Sequence, residues 1–283
     1  MKVPRPFPLP LVVALLVAIF GLLGLLTLLT FHLAEQTGLP FEWTIFPVLV
    51  LLTFGSVGAV LWKFARARKL VLRNQEAVVL LNQGRPTEAA AIFDALIRES
   101  RGLRNLRARF LMNRAVAHLH LDEPEAAVEL ALPLLQAGWF QGQLAAYHGP
   151  GVATALTPLI LLDRLEEAEV ILRRELPRVP ETQRGALLPP RMLLALRRGR
   201  RDELLALAIA ERSAAEAILP VRALRLVDLL HALALQENDP ERADAMLGAL
   251  ELDAPGLRPY LARVPELSHL ATGPTILPFE RRS

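Results

Sequence analysis

The sequence predicts an all-α protein in which an N-terminal two-helix transmembrane hairpin is followed by an α-solenoid of stacked helical hairpins. Two long uncharged segments near the N-terminus are followed by a helix-turn-helix outline that recurs at intervals of 36 to 41 residues. Gly, Asp or Pro marks each turn. A mean hydropathy of +0.34 over 283 residues is high for a soluble chain, which indicates that part of the protein lies in lipid.

The first region, residues 1–69, contains two segments long enough to span a bilayer. Residues 11–31 are uncharged over 21 positions and residues 43–62 over 20 positions. A helix of about 20 apolar residues crosses roughly 30 Å of hydrocarbon. Trp43 and Trp62 stand at the ends of the second segment, where indole rings favour the headgroup region. Neither segment contains an ionisable residue, so we expect an anchor rather than an ion path.

The basic residues beside these segments predict their orientation. Residues 32–42, between the segments, hold two acidic and no basic residues. The flanking basic residues are Lys2, Arg5, Lys63, Arg66, Arg68 and Lys69. The positive-inside rule therefore places both termini in the cytoplasm, at a bacterial inner membrane. A cleaved signal peptide over the first segment is the alternative and would leave the same sidedness. Gly55 and Ala59 form a small-residue face that suits helix packing or a homo-oligomer.

The second region, residues 70–264, is predicted to contain five helical hairpins. The small residue that opens each second helix aligns at Ala89, Ala127, Ala168, Leu204 and Ala243, at intervals of 38, 41, 36 and 39. The turns before them read Gly84-Arg85-Pro86, Asp122-Glu123-Pro124, Asp163-Arg164-Leu165, Gly199-Arg200-Arg201 and Asp239-Pro240-Glu241. Such a period is typical of helical arrays. Residues 265–283 lose the pattern and are predicted to be a flexible end, or a strap along the array.

The first hairpin resembles the tetratricopeptide repeat (TPR). In that family a small residue in the first helix, Gly or Asp in the turn and Ala in the second helix precede a large apolar residue, as at Ala77, Gly84, Ala89 and Phe93. Later units match in part: Ala115, Asp122 and Ala127; Asp163, Ala168 and Leu172; Ala243 and Leu247. Leu204 and His231 depart from the pattern. The resemblance covers residues 71–250 and implies a curved array whose concave face holds a peptide or helix; another α-solenoid family remains the alternative.

The repeat pattern loosens over residues 137–151, which contain a cluster of aromatic residues. Trp139, Phe140, Tyr147 and His148 lie there, before a Gly-Pro-Gly run. Aromatic side chains are favoured anchors in protein interfaces, so this insert is the first candidate partner-binding site. The alternative is that the rings fill a wider gap between repeats.

Arginines cluster around the fourth turn, at Arg197, Arg198, Arg200 and Arg201. They are a second candidate partner-binding site, for an acidic peptide or anionic headgroups. The alternative is that they are solvated and bind nothing. The basic residues that follow Trp62 are instead expected at the membrane interface.

Several functional classes are excluded by composition and motif. The chain has no cysteine, which removes thiol chemistry and Cys-ligated zinc. It contains no recognisable catalytic or phosphate-binding motif. His118 and His120 are two apart on a predicted helix and point in different directions, so no metal or cofactor is expected. Residues 70–283 are almost neutral, which argues against nucleic-acid binding.

These observations predict a non-enzymatic adaptor or scaffold that binds partner proteins at the cytoplasmic face of the membrane. Stacked repeats offer a large rigid surface with little ordering cost. Two alternatives are an accessory subunit whose hairpin makes the essential contact in a larger complex, and a small-ligand sensor with a pocket between repeats near Tyr147 and His148.

Overall fold

The computed structural model describes residues 20–21, 24–25, 27–28, 31–32, 35–36, 46–140, 142–252 and 256–271. These residues form helices, turns and short connections without any strand, which confirms the predicted all-α class. The α-helices from residue 46 onward are α1 Phe46–Asn82, α2 Pro86–Glu99, α3 Arg104–His120, α4 Pro124–Gln136, α5 His148–Leu161, α6 Leu165–Glu175, α7 Leu188–Arg197, α8 Arg201–Glu216, α9 Val221–Leu235, α10 Pro240–Gly248, α11 Arg258–Arg263 and α12 Ser268–Ala271.

The chain divides into two units, Met1–Lys69 and Leu70–Ser283. Most of the predicted span 11–31, and residues 43–45 at the start of the second span, lie outside the described residues. In the part of the chain that the structure describes, no helix has the length and apolar character needed to cross a bilayer.

The second unit is built from helices that stack in chain order. Each predicted turn lies between two helices, giving the hairpins α1–α2, α3–α4, α5–α6, α7–α8 and α9–α10. The first helices of neighbouring hairpins also touch: α3 contacts α5, α5 contacts α7, and α7 contacts α9. The side chains of Asn74 in α1 and Asn113 in α3 are joined by a 2.7 Å hydrogen bond. First helices therefore form one continuous layer, an arrangement consistent with an α-solenoid.

Four of the five turns share one backbone conformation. Gly84, Asp122, Asp163 and Gly199 each follow a first helix with φ of 76°, 60°, 59° and 66°. In every case the amide of the residue that follows donates to the carbonyl five residues earlier, as from Arg85 N to Leu80 O at 3.0 Å. This is the Schellman motif, which glycine adopts freely and aspartate tolerates. Asp122 and Asp163 thus end helices, whereas Asp239 caps one: its side chain accepts a hydrogen bond from Arg242 N at 3.2 Å.

The residues predicted to open the second helices lie where each hairpin closes. The amide of Ala89 bonds to the carbonyl of Arg85 at 3.2 Å, and the other four hairpins repeat this bond. Ala89, Ala127, Ala168, Leu204 and Ala243 are all 0% exposed. Small side chains at four of these positions let the second helix pack closely against its neighbours.

The sequence predicts that the repeat pattern loosens over residues 137–151, but the described part of this segment from residue 142 onward is helical. A 3₁₀ turn spans Gly142–Tyr147, and α5 begins at His148, so Gly149 and Gly151 lie in its first turn. A Cβ atom on Gly149 would lie 2.6 Å from the carbonyl oxygen of Gln183. The glycines therefore allow close approach to neighbouring elements rather than forming a loop.

The packed region extends beyond residue 264. A 3₁₀ turn, Pro265–Leu267, leads into α12, and Leu267 is 0% exposed. Arg263 Nε donates to Asp122 Oδ1 at 2.5 Å, which ties α11 to the second turn. This part of the predicted tail is a strap along the array; residues 272–283 lie outside the described residues.

Gly185 is the position where the fold should tolerate a methyl group least. It lies in the 3₁₀ helix Glu181–Leu187, and an added Cβ would be 2.4 Å from Ala214 O and 2.8 Å from Ala215 N. Backbone atoms of α8 cannot rotate away, so we expect Gly185→Ala to lower the free energy of unfolding by about 1–3 kcal/mol. Thermal unfolding of the detergent-solubilised chain, followed by circular dichroism, measures this.

Gly248→Ala is the matched control for this substitution. Gly248 ends α10, and an added Cβ would meet nothing within 4 Å. We expect its melting temperature to stay at or slightly above the wild-type value, because alanine favours the helix. Equal melting temperatures for the two variants would show that the contact between Gly185 and α8 is not tight.

Candidate functional site

The aromatic residues predicted to contact a partner pack against their own chain. Phe140 is 4% exposed, and its ring covers Gly151, where an added Cβ would lie 2.6 Å from the ring carbon Cζ. Trp139 is partly buried against the core, with the guanidinium carbon of Arg104 4.7 Å from its ring centroid. These contacts match the alternative reading, in which the rings fill a gap between repeats.

Tyr147 and His148, at the start of α5, also have partners within the chain. Tyr147 packs against the core below Arg109, whose guanidinium carbon is 5.0 Å from the ring centroid. His148 Nε2 lies 3.0 Å from Glu175 Oε2, and the Glu175 side chain is only 6% exposed. Burial would raise the pKa of Glu175, but hydrogen bonds from Arg174 and His148 outweigh it and hold that pKa below its usual value. A cleft of about 170 Å³ lies beside these residues. The Glu175 carboxylate that lines it is already paired with Arg174 and His148.

Each arginine of the fourth-turn cluster has a carboxylate partner. The pairs are Arg197 with Asp163 and Glu266, Arg198 with Glu166 and Glu169, Arg200 with Glu169 and Glu203, and Arg201 with Glu237. Burial would lower the pKa of Arg197, but the hydrogen bonds that it donates to Glu266 and Asp163 raise that pKa above the ordinary value. The cluster therefore ties the fourth turn to the third hairpin and to the strap.

The residues predicted at the membrane interface lie on α1, apart from Trp43, which is outside the described residues. Trp62 is 61% exposed, and the guanidinium carbon of Arg66 is 5.5 Å from its ring centroid. Lys63, Arg68 and Lys69 are exposed.

A groove that the sequence did not predict runs along the layer of first helices. It encloses about 280 Å³ and is lined by α3, α5, α7 and α9, with the 3₁₀ helix Glu181–Leu187, the α8–α9 connection and α11 at its edges. The hydroxyl groups of Thr154 and Thr157 donate to Pro150 O at 2.8 Å and Ala153 O at 2.9 Å. Because these hydroxyls are satisfied within α5, the two threonines add little polarity to an apolar wall of alanine, proline and leucine.

Three polar side chains enter this groove from distant parts of the chain. They are His120 at the end of α3, Arg222 in the first turn of α9, and Tyr260 in α11. Burial and the nearby Arg222 charge lower the pKa of His120 to about 3. Burial raises the pKa of Tyr260 to about 12, and it lowers the pKa of Arg222. At neutral pH the histidine and tyrosine are uncharged, and Arg222 is a cation.

The two histidines considered for metal binding serve different surfaces. His118 Nδ1 lies 2.6 Å from Glu123 Oε2 in the second turn, whereas His120 faces the groove. Among the described residues, no group of three His, Asp or Glu side chains is arranged to hold a metal ion.

No family model, curated protein or solved structure matches this chain. The functional argument therefore rests on the groove and on the helices that build it.

His120 should make stability sensitive to acid. Its pKa is about 3 in the folded chain against 6.5 when exposed, so the unfolded state binds more protons between these values. Stability should fall as pH drops below about 6.5, by up to about 1.4 kcal/mol per pH unit from this one group. We expect His120→Gln to flatten the decline in melting temperature between pH 7 and pH 4.5.

His118→Gln is the control, because His118 lies two residues away on the same helix but pairs with an exposed glutamate. It should not reproduce the flattening that we expect from His120→Gln. A His120→Gln profile as steep as that of the wild type would show that His120 is not protected from protonation.

Proposed function

We propose that this protein is a membrane-anchored, TPR-like adaptor that binds a segment of a partner protein in the groove of its first helices. The anchor would be the hairpin in residues 1–69, and the array would lie at the cytoplasmic face of a bacterial inner membrane. The observation that carries the proposal is the groove itself, a half-open apolar channel on the layer that repeats use to present a concave surface.

The rim of the groove supports a macromolecular partner. Ile218 lines the groove and is 39% exposed, and Val221 beside it is 72% exposed. An apolar channel that continues into an exposed apolar rim is typical of a surface that a helix or extended peptide covers.

A small-molecule ligand is the second candidate function. A volume of about 280 Å³ is close to the lower end of ligand pockets, and His120, Arg222 and Tyr260 supply convergent polar groups. The exposed rim favours the peptide, because a small ligand would leave Val221 uncovered.

Photo-cross-linking in cells tests the adaptor proposal. A photoreactive phenylalanine analogue would replace Ala223, which lines the groove, or Ala210, which is exposed on α8 and serves as the control. We expect position 223 to give one discrete heavier product, identified by mass spectrometry as a single other protein, and position 210 to give none. Cross-links only between copies of this chain, or equal products at both positions, would contradict the adaptor.

Topology is tested with introduced thiols, because the chain contains no cysteine. Thr37→Cys lies between the two proposed spans, and Glu241→Cys lies in the first turn of α10. We expect a membrane-impermeant maleimide, applied to spheroplasts, to label position 37 before lysis and position 241 only after lysis. Labelling of position 241 in intact spheroplasts would contradict the cytoplasmic array.

The apolar surface of α1 supports the anchor. Phe54 and Leu61 are 73% and 63% exposed, and Trp62 follows them. Exposing such side chains to water costs about 25 cal/mol per Å² of apolar surface, and placing them in lipid removes this cost. The proposed span includes residues 43–45, which precede the described part of α1.

A further inference from the structure

Arg222 is held in the groove with few partners of its own. Its Nη1 donates to Leu81 O at 3.0 Å, and a guanidinium has five N–H donors to satisfy. In the described part of the chain no carboxylate lies within ion-pair distance of it. Arg225, one turn later on the same helix, is paired with Glu251 at 2.8 Å. The two arginines therefore differ in their surroundings, not in their local sequence.

Arg222 also supplies the only full charge among the described residues that line the groove at neutral pH. The other titratable side chains there are His120 and Tyr260, and burial keeps both in their neutral forms. The remaining lining residues are apolar, apart from two threonines whose hydroxyls are already bonded. The groove thus combines an apolar channel with one positive point.

An anion that enters this channel would gain more from Arg222 than it would at the surface. The attraction between unit charges rises as water is removed, and a half-buried cation has already lost part of its hydration. A carboxylate matches the guanidinium best, because it accepts two parallel N–H bonds. The apolar wall on either side requires that the group carrying this carboxylate be apolar as well.

We propose that the groove recognises a partner segment that carries one Asp or Glu side chain between large apolar residues, with its carboxylate paired to Arg222. This inference rests on the proposed function, since it names the chemistry of the segment that the adaptor holds. The carboxylate provides register and specificity, and the apolar side chains against Ile218 and the walls provide most of the affinity.

Selection from a phage library of random 12-residue peptides tests this directly. The baits are the full chain in detergent micelles, Arg222→Met, which keeps the apolar stem, and Arg225→Met as the matched control on α9. We expect the wild type and Arg225→Met to enrich peptides with an acid between large apolar residues. Arg222→Met should enrich apolar peptides without an acid. Acid-free selection by the wild type would overturn the proposal.

Binding of synthetic peptides keeps the test independent of any variant's folding. Fluorescence anisotropy compares the binding of two peptides to the wild-type chain: the tightest-binding acidic peptide and its twin, in which Glu is replaced by Gln or Asp by Asn. We expect the twin to bind at least ~10-fold more weakly, equivalent to about 1.4 kcal/mol. Arg222→Lys should bind the acidic peptide more weakly than the wild type while still preferring it to its twin. Equal affinities of the two twins for the wild type would overturn the proposal.

The remaining outcomes separate this inference from the proposed function. If no bait enriches any peptide, but dodecanoate binds in an Arg222-dependent way, both are overturned in favour of a small amphiphile. If only a peptide of residues 272–283 binds, the occupant is the chain's own tail rather than a partner. If the wild-type chain enriches only apolar peptides without an acid, the inference fails while the adaptor stands.

Discussion

A left-handed residue at the end of four first helices is the constraint on which the array depends. Gly84, Asp122, Asp163 and Gly199 reverse the chain with the same pair of backbone hydrogen bonds. The carbonyl of the residue after each of these four accepts a hydrogen bond from the amide four positions later, in the second helix. The residue that donates this bond is fully buried in every hairpin. Equivalent turns place equivalent helices in equivalent positions, which is why first helices can touch their successors and form a continuous wall. The groove is a property of that wall.

Much of this architecture could be predicted because its signals are local. Gly or Asp in the turn, Pro at the helix start and a small residue three positions after it act within one hairpin. The five turns lie between helices where the sequence places them. The insert could not be understood this way. Whether Phe140 protrudes or packs depends on Gly151, and Gly149 leaves room for Gln183 from another element. Spacing carries no information about such pairs.

The candidate site was missed for the same reason. Arg222 and Arg225 are one turn apart in one helix, and nothing in their immediate sequence distinguishes a groove cation from a surface ion pair. The difference comes from Leu81, whose carbonyl accepts a bond from a residue 141 positions later, and from His120 and Tyr260. The arginines at the fourth turn are conspicuous because four of them lie within five residues. Three of their six carboxylate partners, Asp163, Glu166 and Glu169, lie about 30 residues earlier, in the third turn and in α6.

Charged residues therefore have different surroundings at the turns and in the groove. Along the turns, ion pairs such as Arg198 with Glu166 link neighbouring hairpins; exposed pairs of this kind fix geometry more than stability. In the groove a cation is kept among apolar and neutral side chains, where it lowers stability unless an anion accompanies it. A turn edge that is saturated within the chain offers little to a partner, whereas a channel with one uncompensated charge favours a ligand that completes it.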